Sequence, residues 1–149
     1  MEEELLNGFS SSDVFRLYKF LCIYESKLVK LKKSESLFAA FPQLEDAMKG
    51  FIKRFTYNQV QKDDMQAEEL EIPVGVFYCT KSKSQPVGLL YHIRNSIAHG
   101  QIERNEQIIN LVDYDFDENT KSRFFSGRGV FDSGLFFEII DFVNANIAM

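Results

Sequence analysis

A change of hydrophobic period at Gly100 is what most constrains the fold of this chain. Before it, apolar residues recur at helical spacing: Val14, Leu17, Tyr18, Leu21, Leu28 and Leu31 along one stretch, Leu44, Met48, Phe51, Ile52 and Phe55 along another. Residues three or four apart share one face of a helix, so each set predicts an amphipathic helix with one side in a core. After Gly100 the spacing drops to two, and Val112, Tyr114 and Phe116 alternate with Asp113, Asp115 and Asp117. Such alternation predicts a half-buried strand with its aromatic side inward and its acids in solvent. Arg123–Val130 is the candidate antiparallel partner, across a turn around Asp117–Lys121. Helical spacing then returns through Leu135, Phe136, Ile139, Ile140, Val143 and Ile147. The expected fold is mainly α: a helical bundle with a β-hairpin, at about residues 101–130, inserted before the C-terminal helix.

Local signals set the ends of these elements. Ser10-Ser11-Ser12-Asp13 offers short oxygen side chains that accept the free N–H groups of a first turn, and that helix is expected to run to about Lys33. A second helix begins near Ser34–Ser36 and is interrupted by Pro42, which suits the first turn of a new helix because its missing N–H costs nothing there. Pro86 opens the helix that ends at Gly100, and Asp132 caps the last one. Residues 58–70 are polar and without period. Leu70–Cys79 is apolar but broken by Pro73 and Gly75, so its spacing does not choose between helix and strand, and Lys81-Ser82-Lys83-Ser84 reads as an exposed loop. With no repeat and no linker, residues 1–149 are expected to form a single domain.

Charge narrows the functional classes. Seventeen Lys and Arg against 22 Asp and Glu leave a net charge of −5, which opposes a sequence-independent coat on nucleic acid. Local clusters remain: Lys27, Lys30, Lys32 and Lys33; Lys49, Lys53 and Arg54; Arg123 and Arg128. An acidic chain with such clusters needs a focused site. The apolar runs are far shorter than the roughly 20 residues that cross a bilayer. The start, Met1-Glu2-Glu3-Glu4, lacks the basic-then-apolar order of a secretory signal, and Cys22 and Cys79 read as buried reduced thiols, so a cytoplasmic protein is expected.

The residues suited to chemistry gather in Leu89–Gly100, which holds both histidines, His92 and His99, with Arg94 and Asn95. Imidazole titrates near neutral pH and guanidinium is shaped for phosphate oxygens, so their proximity suggests phosphate-ester chemistry, RNA cleavage first. On a regular helix His92, Asn95, Ser96 and His99 share a polar face and Leu89, Leu90, Ile93 and Ile97 the apolar one. Arg94 lies about 140° around from His99, so the two meet only if the helix loosens at Ala98–Gly100, or across a two-fold axis between copies. The plainer account makes His99 a cation at a helix C-terminus, with Gly100 its ordinary C′ residue. Two other patterns lose to simpler explanations. Asp113-x-Asp115-x-Asp117 starts like a calcium loop but has Glu118 where the turn wants Gly and Phe124 where a carboxylate is needed. Gly127-Arg128-Gly129 lacks the Lys-Ser/Thr of a phosphate loop and is expected to form a turn.

Arg94-Asn95-Ser96-Ile97-Ala98-His99, with four residues between Arg and His and a polar residue after the Arg, resembles the motif of the HEPN superfamily (higher eukaryotes and prokaryotes nucleotide-binding domain). The resemblance implies an all-helical frame, elaborated here by the hairpin. It implies a metal-independent endoribonuclease without a cofactor, working as a homodimer whose two motifs line one cleft. His99 would be general base or acid, Arg94 would hold the phosphate, and Asn95 would orient His99 or donate to phosphate. His92 would be a second acid/base or an RNA contact, and Ser96 a substrate contact. An antitoxin or antiviral-defence partner protein would fit such a ribonuclease. The alternative is an inactive HEPN-like module that binds RNA, a nucleotide or a protein.

Overall fold

The computed structural model describes residues 7–29, 41–60, 74–80 and 84–147. Helix α1 (Ser11–Ile23) passes into a π-helical turn (Tyr24–Leu28); α2 (Pro42–Ile52), β1 (Thr56–Gln59), β2 (Val76–Cys79), α3 (Gln85–Ala98), β3 (Ile102–Asn105), β4 (Ile108–Asp117), β5 (Ser122–Asp132) and α4 (Ser133–Asn146) follow. The expectations for Lys30, Lys32, Lys33, Ser34–Ser36, Pro73 and Lys81–Lys83 lie outside the described residues.

The strands form one five-stranded sheet in the order β1-β2-β5-β4-β3, with β1 and β2 parallel and all other pairs antiparallel. The protein is therefore α+β, and the expectation of a mainly α bundle carrying an appended hairpin is corrected. The hairpin is real, as β4 and β5, but it is the middle of a sheet. The extra strands escaped notice because β1, β2 and β3 have four residues each, too few to display a period. Strand β2, Val-Phe-Tyr-Cys, lies inside the sheet and reads as a plain apolar run with no alternation.

Helices α3 and α4 lie on the sheet, and α1 and α2 pack against both of them. The caps stand where the side chains suggested. Ser10 accepts from Asp13 N, Ser84 from Val87 N and Asp132 from Leu135 N, while Pro42 and Pro86 occupy first turns. Asp13 also accepts from Arg104 at 2.7 Å, tying α1 to β3.

Aromatic rings fill the space between sheet and helices. Phe131 is fully buried, edge-on to Phe55 at 5.1 Å and 6.2 Å from both Phe77 and Phe136. A Cβ on Gly129 would come within 2.5 Å of the Phe131 ring, so glycine is what lets β5 carry this cluster. Gly127 and Gly129 thus sit inside β5 and make no turn, contrary to expectation. Phe131→Ala is expected to cost about 3–5 kcal/mol of stability, seen as a lower urea midpoint with little change in slope.

Candidate functional site

Helix α3 ends in a complete Schellman closure: Gln101 N donates to Ser96 O at 2.8 Å and Gly100 N to Ile97 O at 3.2 Å. Gly100 has φ +67, the left-handed conformation this closure requires. His99 is the C-cap, and the closure leaves it exposed at the helix end.

Three residues of the polar face of α3 turn inward, and the apolar residues Leu89, Leu90 and Ile93 are buried as well. His92, Asn95 and Ser96 are buried toward β4. The Ser96 hydroxyl lies 2.8 Å from His92 O and 2.9 Å from Val112 O, so it joins helix to strand. Asp113 Oδ2 accepts from His92 Nδ1 at 2.8 Å and from Asn95 Nδ2 at 3.0 Å. Asp113 is only 6% exposed, which corrects the expectation of a solvent-facing acid. Along β4 the inward residues are Ile109, Leu111 and Asp113; a bulge between Asp113 and Tyr114 then breaks the register, and Asp115 and Phe116 are exposed.

Glycine also makes this arrangement possible. A Cβ on Gly127 would lie 2.7 Å from His92 Nδ1, so only a bare backbone lets the imidazole sit against β5. Burial disfavours the imidazolium, but the Asp113 hydrogen bond and the neighbouring Cys79 outweigh it and raise His92 from 6.5 to about 9. The contact with Asp113 thus favours the protonated ring. Its Nε2 has no hydrogen-bond partner among the described residues.

Arg94 points the other way, toward the π-helical turn. Its Nε pairs with Glu25, and its Nη1 donates to Asn95 Oδ1 at 2.7 Å. The turn is pinned by Ser26, whose hydroxyl donates to Cys22 O at 2.9 Å. Extra-residue turns of this kind are frequent at functional sites, and here the turn aims Glu25 at the arginine. Burial raises the Tyr24 hydroxyl beside it to about 12, against the opposing pull of Arg94.

Arg94, Asn95, His92, Asp113 and His99 all line one cavity of about 820 Å³. Arg94 and His99 thus border a common space without loosening of the helix, although the Arg94 side chain pairs with Glu25 and Asn95. Ser96, wholly buried, does not line that cavity. His99 also borders a second depression of about 420 Å³ with Arg123, Tyr114 and Phe116. Among the described basic residues, Lys49 pairs with Glu45 at 3.4 Å and Arg54 with Glu138 at 2.6 Å, while Arg128 is buried over the Phe125 ring. Among the described residues, no cluster of three His, Cys, Asp or Glu is arranged to hold a metal ion, and no helix is long and apolar enough to cross a membrane. Both cysteines are free, Cys79 buried and Cys22 half-buried.

Asp113 and Glu25 are the site residues that sequence reasoning missed. Parity with Ile109 and Leu111 is the signal that places Asp113 inward; Glu25 carries no comparable local mark.

The family model described as HEPN pEK499 p136 matches residues 12–126, from α1 into β5, and the chain is a HEPN-superfamily protein. Within that superfamily it belongs to the pEK499 p136 family. Comparison with curated proteins and with solved structures returned no match. HEPN domains in general bind RNA or nucleotides, or act as ribonucleases, and form dimers.

Proposed function

We propose that this chain is a metal-independent endoribonuclease of a toxin or antiviral-defence type, residues 1–149 forming one HEPN-like domain that acts as a cytoplasmic homodimer. The observation that carries this reading is that Arg94 and His99 line one cavity of about 820 Å³. In the proposed reaction the ribose 2′-OH attacks the adjacent phosphorus and gives its proton to a base. The bond from phosphorus to the 5′-oxygen breaks, and an acid returns a proton to that oxygen. His99 from each of two copies serves these two steps. Arg94 holds the phosphate and the charge that grows on it. His92 is buried and committed to Asp113, so its part is to hold the site.

A binding-only reading has its own support in the Glu25 carboxylate, which already occupies Arg94. One assay separates the two. Purified protein incubated with single-stranded RNA and excess chelator is expected to yield fragments ending in 2′,3′-cyclic phosphate and beginning with 5′-OH. RNA retained intact under these conditions, at any pH, would leave the binding module.

A further inference from the structure

We propose that Asp113, from the sheet, is the positioning residue for Arg94, acting through the Asn95 side chain; the inference rests on the ribonuclease reading above. The Asn95 amide has a donor end and an acceptor end, and local packing alone does not choose between its two orientations. A carboxylate only accepts. Asp113 therefore admits Nδ2 and turns Oδ1 toward Arg94, where it accepts from Nη1 at 2.7 Å. With the amide reversed, N–H would face guanidinium and oxygen would face carboxylate, so both contacts would become repulsive.

Asp113 is itself held in the accepting role by His92, whose charged ring donates to the same oxygen at 2.8 Å. The result is an unbroken alternation of donor and acceptor from His92 through Asp113 and Asn95 to Arg94, correct in one polarity only. Glu25 holds Nε and Asn95 holds Nη1, and two fixed points set the plane of the guanidinium. Two features of the sheet serve this chain. The β4–β5 register shift, in which Ser126 is the extra residue on β5, follows the Asp113–Gly127 pair directly, and Gly127 leaves the space that seats His92 against the sheet. The sheet thus supplies part of the site and does more than support it.

A double-mutant cycle tests this. Asp113→Leu keeps much of the side-chain volume while removing the single oxygen that accepts from both His92 and Asn95. It is expected to lower kcat roughly 10- to 100-fold, with KM within about twofold, because Arg94 is misplaced at the transition state. Asn95→Ala should do the same, and the double variant should be no worse than either single one. The Arg94 guanidinium NMR signals should broaden in both variants without RNA present, a change that general weakening of the fold would not localise. Additive losses, or unchanged Arg94 signals, would overturn the proposal. Should Asp113→Leu fail to fold, Gly127→Ala replaces it in the cycle, since its Cβ displaces His92 from Asp113. Arg94→Ala and His99→Ala serve as references. If these keep full cleavage, the ribonuclease reading falls; if they abolish it while the cycle is additive, only the Asp113 inference falls.

Discussion

His99→Ala is expected to lower RNA cleavage by about 10²–10⁴-fold, the span that a positioned acid or base contributes. The fold should survive the change. His99 is exposed, and its structural contact at the helix end is a main-chain one, N–H to Asn95 O at 3.0 Å, which alanine keeps. Stability should stay within about 0.5 kcal/mol of the parent, as for surface positions generally. Activity and stability would then separate, which distinguishes a proton-transfer group from a helix-capping cation. Arg94→Ala should cost about 10²–10³-fold by removing charge stabilisation at the phosphate. Arg94→Lys should recover little of it, because a lysine cannot span Glu25 and Asn95 with a planar fork. Initial rates on a labelled oligoribonucleotide, beside urea unfolding curves, measure both quantities. Full cleavage by folded His99→Ala protein would remove the proposed reaction.

The helix bearing Arg94 and His99 was legible in the sequence, and so were its Pro86 start, its Gly100 stop, the Asp132 cap and the turn between β4 and β5. Each depends on a few neighbouring residues, which is what local physics can specify. The sheet was not legible. Pairing β2 with β5 joins Val76–Cys79 to Gly127–Val130, a contact between distant segments that no local pattern records. That omission hid what covers the polar residues of α3. His92, Asn95 and Ser96 form a polar stripe, and a polar stripe belongs in water unless something polar covers it. Asp113 and the Val112 carbonyl are that cover. The inverted parity of β4 has a different cause. Tyr114 and Phe116 resemble an inner face, but they share the parity of Asn110 and Val112, opposite to the buried set, and Phe116 is 49% exposed. The inward set, Ile109, Leu111 and Asp113, ends in an acid and so does not look like a core edge.

The buried His92–Asp113 pair should make stability fall on the alkaline side. The His92 ring titrates near 6.5 when unfolded and near 9 when folded, so the folded state binds the proton more tightly. A raised value contributes stability that is fully present below pH 6.5 and lost as pH rises through 9. The difference corresponds to about 3 kcal/mol across that window. Asp113→Ala should weaken the dependence strongly, because the main group favouring the charged ring is gone and burial, which favours the neutral ring, is opposed only by Cys79. At pH 6 the variant should lose about 3–5 kcal/mol, the cost of stranding one member of a buried pair, and near pH 9.5 much less. Urea unfolding at pH 6, 8 and 9.5 on both proteins decides the matter. A parent protein equally stable at all three values would mean that Asp113 does not hold the proton on His92. The same titration bears on the site, because Asp113 joins His92 to Asn95 and so to Arg94. Once His92 is neutral, Nδ1 need no longer carry the proton that fixes Asp113. The alkaline loss of stability and the loosening of the Arg94 guanidinium should therefore share one midpoint.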